Sequence, residues 1–181
     1  MLVKAYERMT GNPQVLRQLR ERWDYIQVDD YQDVNYLQRD LVYLLAGEKK
    51  NYPGVLGTGV VKLPGLNCGR TGLTEKAARD EGYDVETVLA VTDDKAHYYP
   101  GAANFVTKLI ADRKSHKLLG MQVFGPGTVD KMVDIAVTGI SMGAVLEDFD
   151  QMDYSYAPPF STAIHPFVQA VCLLEKQLDG T

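Results

Sequence analysis

The chain has 181 residues, of which 45% are apolar and 24% charged, and it carries a net charge of −5. A chain of this length can bury a core without disulfides or metals, and this composition excludes intrinsic disorder. Residues 1–50 carry 8 basic against 8 acidic side chains and the remainder carries 11 against 16, so the basic excess typical of a nucleic-acid-binding protein is missing.

The cysteines and histidines give no metal-binding pattern. Cys68 and Cys172 lie about a hundred residues apart, and the three histidines lack the spacing of helical metal ligands. We expect both thiols to be packed side chains in a reducing cytoplasm. No signal-peptide pattern and no apolar run of 18 residues occurs, so we predict a cytoplasmic protein without membrane contact.

The N-terminal part predicts helices and one short strand. A helix is plausible over residues 2–9, and a second over 13–23 begins after Asn12, a good N-cap. Tyr25–Val28 has the pattern of a buried strand, and residues 36–46 have one apolar face, as in a helix. The segment is therefore predicted to be helix–strand–helix.

The stretch "YIQVDDYQDVN", residues 25–35, ends an apolar run with Asp29 and Asp30. It resembles the second motif of superfamily 1 (UvrD-like) DNA helicases, in which paired acids hold Mg²⁺, and the resemblance covers residues 1–47. The family has Asp-Glu where this chain has Asp-Asp, and no phosphate-binding loop G-x-x-x-x-G-K-[ST] is present. We predict a helicase-like fragment that does not hydrolyse nucleotides. Asp29 and Asp30 remain weak metal-ligand candidates, and the alternative is a nucleotide or nucleic-acid binder acting through this stretch.

Glycines become frequent after Lys50, and the helical periodicity stops. We therefore predict two parts, 1–50 and 51–181. The second part predicts strands Val60–Leu63 and Val85–Thr92, a helix Glu75–Glu81, a hairpin over 104–125, and helices over 129–142 and from about 163 to 180.

The predicted helix over 129–142 is apolar over more than one face. Val129, Val133, Ala136 and Ile140 form one stripe. Such a helix is either buried in a large core or covered by a partner, and in a domain of this size a partner is at least as plausible.

Several motifs follow one another in residues 51–179: "YPGVLGTGVVKL", "TGLTEKAARDEGYDV", "AHYYPGA", "LIADRKSHKLLGMQVFG", "VDKMVDIAVTGISMG" and "YAPPFSTAIHP". In this order they resemble the C-terminal dimerisation domain of pyridine nucleotide-disulfide oxidoreductases, in the branch of the NADH oxidases and CoA-disulfide reductases. The resemblance implies an α+β fold with an antiparallel sheet backed by helices. It also implies a partner, either a second copy of the chain or a flavoprotein subunit.

The resemblance implies FAD and NAD(P)H for the parent enzymes, which bind them on folds marked by G-x-G-x-x-G. Here "GVLGTG", residues 54–59, has its glycines in the order G-x-x-G-x-G, and no helix pattern follows it. The family's redox cysteine lies in a flavin domain that is missing from this sequence. We therefore expect no cofactor to be bound by this chain alone.

In the CoA-disulfide reductase branch, tyrosines of this domain enter the active site of the partner subunit. At the matching positions stand Tyr98, with Tyr99 as second choice, and Tyr156; the alternative is that they are half-buried core or interface residues. The predicted dimer interface consists of the 129–142 stripe together with Pro158 and Phe160. His165, before the last helix, is predicted to cap or pack rather than to catalyse.

Overall fold

The computed structural model describes residues 2–28, 34–47 and 54–180. Two compact units are present, Met1–Val55 and Leu56–Thr181. The boundary that the sequence predicts near Lys50 lies outside the described residues, as do Asp29 and Asp30.

Within residues 2–28 and 34–47, the first unit contains three helices: α1 Leu2–Gly11, α2 Pro13–Arg20 and α3 Tyr36–Ala46. Asn12 caps α2 as predicted, because its side chain accepts hydrogen bonds from the backbone of the first turn. Asn35 and Gln38 form a capping box at the start of α3, and Gly47 ends the helix in the left-handed conformation, with φ 77°. Local sequence therefore sets the ends of these helices.

The predicted strand Tyr25–Val28 is wrong, since these residues have no regular secondary structure. Tyr25 is 82% exposed and Ile26 is 41% exposed, so the apolar run is not buried. A strand is stabilised by hydrogen bonds to a neighbouring strand. No described segment of this unit pairs with residues 25–28, and the apolar run alone does not make a strand.

The second unit contains five strands and four helices in its described residues. They are β1 Gly59–Leu63, β2 Leu66–Gly72, α4 Glu75–Asp80, β3 Val85–Asp93, β4 Asn104–Asp112, β5 Leu118–Gly125, α5 Val129–Met142, α6 Leu146–Asp150 and α7 Pro166–Leu178. The strands form one antiparallel sheet in the order β1-β2-β5-β4-β3. The predicted α+β class is confirmed, including the hairpin of β4 and β5.

The main core lies between one face of the sheet and helices α5, α6 and α7. Leu109 and Met121 of the hairpin are fully buried there, together with Phe149 of α6 and Phe167 of α7. The rings of Phe149 and Phe167 pack at 5.1 Å between centroids. We call this side of the sheet the core face and the opposite side the outer face.

The stripe of α5 packs in this core. Val129, Val133 and Ala136 are at most 3% exposed in the single chain, and Ile140 packs partly buried against the same cluster. The interpretation that a partner subunit covers the stripe is wrong for the three buried residues. A five-stranded sheet offers enough apolar surface to cover this helix from within.

Strand β2 and helix α6 were not predicted. The sequence of β2, "LNCGRTG", contains polar residues and two glycines, so no alternating pattern marks it. Gly69 is required by packing: a Cβ atom there would lie 2.5 Å from Cγ2 of Val133. The strand is therefore determined by its neighbours β1 and β5 and by α5, not by its own pattern.

Candidate functional site

The predicted site residues lie on two loops of the second unit. Tyr98 belongs to the connection between β3 and β4, whose base is fixed by Asp94. The backbone of Asp94 donates to the carbonyl of Ala103 at 2.8 Å, and the Asp94 carboxylate accepts from the Ala103 amide, also at 2.8 Å. Asp94 is 9% exposed. The loop is thus held at its base while its tip is free to carry exposed side chains.

At the tip, Tyr98 is 69% exposed and Tyr99 is 38% exposed. The Tyr98 ring meets the His97 ring edge to face, with 5.7 Å between centroids. A tyrosine offers both an apolar ring and a hydroxyl that can donate or accept, so an exposed pair is suited to contact another surface.

Tyr156 and Phe160 lie in the irregular segment between α6 and α7. The amides of Phe160 and Ser161 donate to the carbonyl of Ala157, at 2.8 and 3.1 Å, which closes a turn with Pro158 at its second position. Phe160 is 73% exposed and Tyr156 is 53% exposed. The turn therefore presents aromatic side chains outward, with Pro158 half-buried beside them.

His165 closes this segment and begins α7. Its Nδ1 accepts a hydrogen bond from the Phe167 amide at 3.2 Å, so the predicted capping role is confirmed. Nδ1 must be unprotonated to accept, which keeps the imidazole neutral. Burial, aided by the charge of Lys131, lowers the pKa of His165 to about 4.

Tyr154 stacks on His165, with ring centroids 4.8 Å apart and an angle of 22° between the ring planes. Burial, with a smaller contribution from Asp150, raises the pKa of Tyr154 to about 12. The stack anchors the segment two residues before Tyr156. Sequence reasoning missed this pair, because the ten residues between the two rings show no periodic pattern.

The thiols are not arranged for redox chemistry. Cys68 lies on β2 and Cys172 on α7, and both are free. Cys172 donates a long hydrogen bond of 3.7 Å to Asp150 Oδ1, and burial together with Asp150 raises the pKa of the thiol. A thiol in this surrounding stays protonated and is a poor nucleophile.

The described residues do not form a cofactor or metal site. Gly54 and Gly57 have positive φ angles, but the segment leads into β1 and not into a helix. A dinucleotide-binding turn needs a following helix whose N-terminus faces the pyrophosphate, so these glycines do not fit FAD or NAD(P)H. Within residues 2–28, 34–47 and 54–180, no cluster of three or more His, Cys, Asp or Glu residues could hold a metal, and no helix is long and apolar enough to cross a membrane.

The structure leaves Tyr98 and Tyr156 on separate exposed loops. Among the described residues, no hydrogen bond or ring contact joins the two side chains. Both side chains are exposed enough to contact another molecule.

The fold and these loops define a class of protein. Residues 60–167 match the family described as "Pyridine nucleotide-disulphide oxidoreductase, dimerisation domain". The chain belongs to this family, and its larger unit is a dimerisation domain of a disulfide oxidoreductase.

Individual relatives support the same family. The CoA-dependent NAD(P)H sulfur oxidoreductase of Pyrococcus furiosus is 39% identical over 124 residues, which are 68% of this chain and 28% of that protein. The coenzyme A disulfide reductase of Staphylococcus epidermidis is 26% identical over 116 residues, covering 64% and 25% of the two chains. This chain therefore spans only about a quarter of the length of these relatives.

Solved structures agree with this fold. A NAD-dependent persulfide reductase from A. fulgidus superposes with a TM-score of 0.72 at 31% identity, covering 80% of this chain and 28% of that one. The reduced CoADR-RHD of Bacillus anthracis gives 0.71 at 32% identity, covering 80% and 27%. Residues 1–59 match a second family, the UvrD/REP helicase N-terminal domain, over this short stretch.

Proposed function

We propose that this chain acts as a self-pairing module, the homodimerisation part of an FAD- and NAD(P)H-dependent disulfide oxidoreductase or NADH oxidase, without complete catalytic machinery of its own. The observation that carries the proposal is the family match over residues 60–167 together with exposed aromatic side chains on the same unit. The surfaces proposed for contact are the turn with Pro158 and Phe160 and the outer face of the hairpin of β4 and β5. The buried α5 stripe is not among them.

The solution mass tests this proposal. Light scattering coupled to size-exclusion chromatography should give about twice the 20.1 kDa of one chain. A monomer at every concentration up to the millimolar range would contradict self-pairing.

A second candidate is an accessory role, in which the chain docks onto a separate flavoprotein and supplies Tyr98 and Tyr156 to its active site. The observation that favours it is the exposure of both phenols, 69% and 53%. A phenol hydroxyl could donate to a substrate oxygen or to a developing thiolate, while its ring forms part of a substrate wall.

The test is NAD(P)H oxidation by a family flavoprotein in the presence of this chain, with Tyr98→Phe and Tyr156→Phe combined. Tyr83→Phe serves as the matched control, because Tyr83 is 44% exposed but lies in the turn after α4, outside both loops. The double variant should lose any stimulation that the chain provides, and the control should keep it. Equal stimulation by both variants would remove the tyrosines from the proposal.

We propose that residues 1–47 are a helicase-like fragment without nucleotide hydrolysis. The support is the helicase family match over residues 1–59 and the lack of a phosphate-binding loop in the sequence. Titration calorimetry with Mg-ATP and with single-stranded DNA should give no binding heat. Saturable binding that is lost in Asp29→Asn would contradict this proposal and support the alternative of a nucleotide or nucleic-acid binder.

A further inference from the structure

The turn of the β4–β5 hairpin contains a backbone outlier. Within residues 2–28, 34–47 and 54–180, His116 is the only residue other than glycine with a positive φ angle, 56°. This left-handed conformation is sterically disfavoured for an L-residue, whereas glycine adopts it freely. Such an outlier persists only where the surrounding structure holds it. His116 is therefore expected to have contacts outside its own turn.

Backbone contacts join this turn to the start of α6. The carbonyl of His116 accepts a hydrogen bond from the Leu146 amide at 2.9 Å. Next to it, Lys117 forms an isolated antiparallel bridge with Val145. Leu146 is fully buried in the main core. The turn thus holds the first residue of α6 in place, and α6 leads into the segment that presents the exposed aromatic side chains.

A side-chain contact reinforces this junction. His116 Nδ1 lies 2.5 Å from Glu147 Oε1, and the two side chains are 33% and 49% exposed. Burial alone would raise the pKa of Glu147, but the hydrogen bond with His116 lowers it, and the net shift is downward. The two groups form an ion pair only when the imidazole carries a proton. Histidine is the side chain that ordinarily changes its charge between pH 5 and 8, so this contact depends on pH.

The charges around His116 are mostly negative. Burial, followed by the charges of Glu147, Asp150 and Asp179, raises the pKa of Glu175 on α7, and His116 acts in the opposite direction. A proton on His116 therefore adds a positive charge beside a group of carboxylates. The charged residues of the elements that meet here are Asp112, Arg113, Lys114 and Lys117 at the turn, Glu147, Asp148 and Asp150 on α6, and Glu175, Lys176 and Asp179 at the end of α7.

We propose that His116 and Glu147 form a proton-dependent latch, which holds the hairpin turn on α6 when His116 is protonated and loosens as the pH rises towards 8. The left-handed backbone of His116 places its carbonyl on Leu146 and its imidazole on Glu147. The latch sets how firmly the start of α6 is held to the hairpin. It operates within one chain and does not require a second copy.

Hydrogen exchange of the Leu146 amide in the full chain tests the latch, because this amide donates across the junction. His116→Gln keeps a hydrogen-bonding side chain that cannot take up a proton. An exposed ion pair changes an equilibrium constant by up to about fivefold. The substitution should therefore reduce the protection factor of Leu146 about two- to fivefold more at pH 6 than at pH 8. Any effect of glutamine on the left-handed backbone is the same at both pH values and cancels in this comparison.

Three further variants serve as controls. His97→Gln changes an exposed histidine on the β3–β4 connection, far from this turn in sequence, and its effect on Leu146 should be the same at both pH values. In a Glu147→Gln background, His116→Gln should lose its pH-dependent effect, because the partner charge is gone. In a Glu175→Gln background it should keep that effect. Circular dichroism at both pH values would verify that every variant is folded.

The outcomes decide for or against the pair. An effect of His116→Gln that is equal at pH 6 and pH 8, or that persists without the Glu147 carboxylate, would overturn the latch. Loss of the pH-dependent effect in the Glu175→Gln background would assign it to another carboxyl and would also overturn the pairing with Glu147. A pH-dependent effect that requires Glu147 and is independent of Glu175 would support the latch.

Discussion

Gly139 of α5 lies against the ring of Phe149, and this contact gives a quantitative test of the core. A Cβ atom at position 139 would overlap the ring of Phe149. Phe149 is fully buried and packs on Phe167 at 5.1 Å. The ring therefore has no free space into which it can turn.

Two opposing effects decide the free energy of unfolding of Gly139→Ala. Alanine stabilises a helix interior by about 1 kcal/mol relative to glycine. Overpacking a close-packed core costs about 1–3 kcal/mol, and the fixed ring puts this site at the upper end. The overlap should win, with a net loss of about 2 kcal/mol.

The assay is guanidinium unfolding followed by the near-UV circular dichroism of tyrosine, because the single tryptophan, Trp23, lies in the other unit. Ser141→Ala, on the exposed side of the same helix, should change stability by less than about 0.5 kcal/mol. Phe149→Leu should restore part of the loss in the Gly139→Ala background, giving a coupling energy of about 1 kcal/mol. A Gly139→Ala protein as stable as the wild type would refute the packing of α6 against α5.

Three further predictions follow from buried groups. Val133→Asp should unfold the second unit and not merely yield folded monomers, since Val133 is 1% exposed; a folded variant by circular dichroism would contradict this. The pKa of His165 is about 4 in the folded protein and 6.5 in the unfolded chain. As the pH falls below 6.5, the unfolded chain therefore takes up a proton at His165 before the folded protein does. Up to about 3 kcal/mol of folding stability is present above pH 6.5 and is lost as the pH falls towards 4. His165→Asn, which keeps a capping oxygen, should flatten this dependence in acid titrations of stability, and an unchanged profile would assign it to another group. Cys172 should react with iodoacetamide more slowly than a cysteine peptide at pH 8, and Asp150→Asn should speed the reaction, because burial and Asp150 raise the thiol pKa; equal rates in both proteins would rule out an effect of Asp150.

Local chemistry made several elements predictable. Asn12 and Thr74 cap helices α2 and α4, and Gly47 ends α3, as their residue types indicate. Helix α5 begins and ends at the predicted residues 129 and 142, and the hairpin turn lies where the charged residues 113–117 occur. In each case the deciding interactions lie within a few residues along the chain.

The candidate site was less accessible to such reasoning. The positions of Tyr98 and Tyr156 came from a family resemblance. Their placement on exposed loops agrees with entry into the active site of a partner subunit and also with a place at an interface. Their proposed role stays a prediction. The stack of Tyr154 on His165 joins residues eleven positions apart without a periodic signal, so only the folded segment reveals it.

By itself, the sequence determined the bounds of α3 and α5, the start of α2, the hairpin, the α+β class and the family, since caps, turn residues and ordered motifs are local features. The helix predicted over 13–23 ends earlier, at Arg20. The tertiary structure decided that the α5 stripe is buried within the chain, that β2 joins the sheet, and that Tyr25–Val28 is not a strand. It also aligned Val61, Cys68, Phe124, Val106 and Val91 side by side across the five strands. The physical reason is that apolarity specifies burial but not the covering surface, and a strand exists only when a neighbour pairs with it. Both depend on contacts between residues far apart in the sequence.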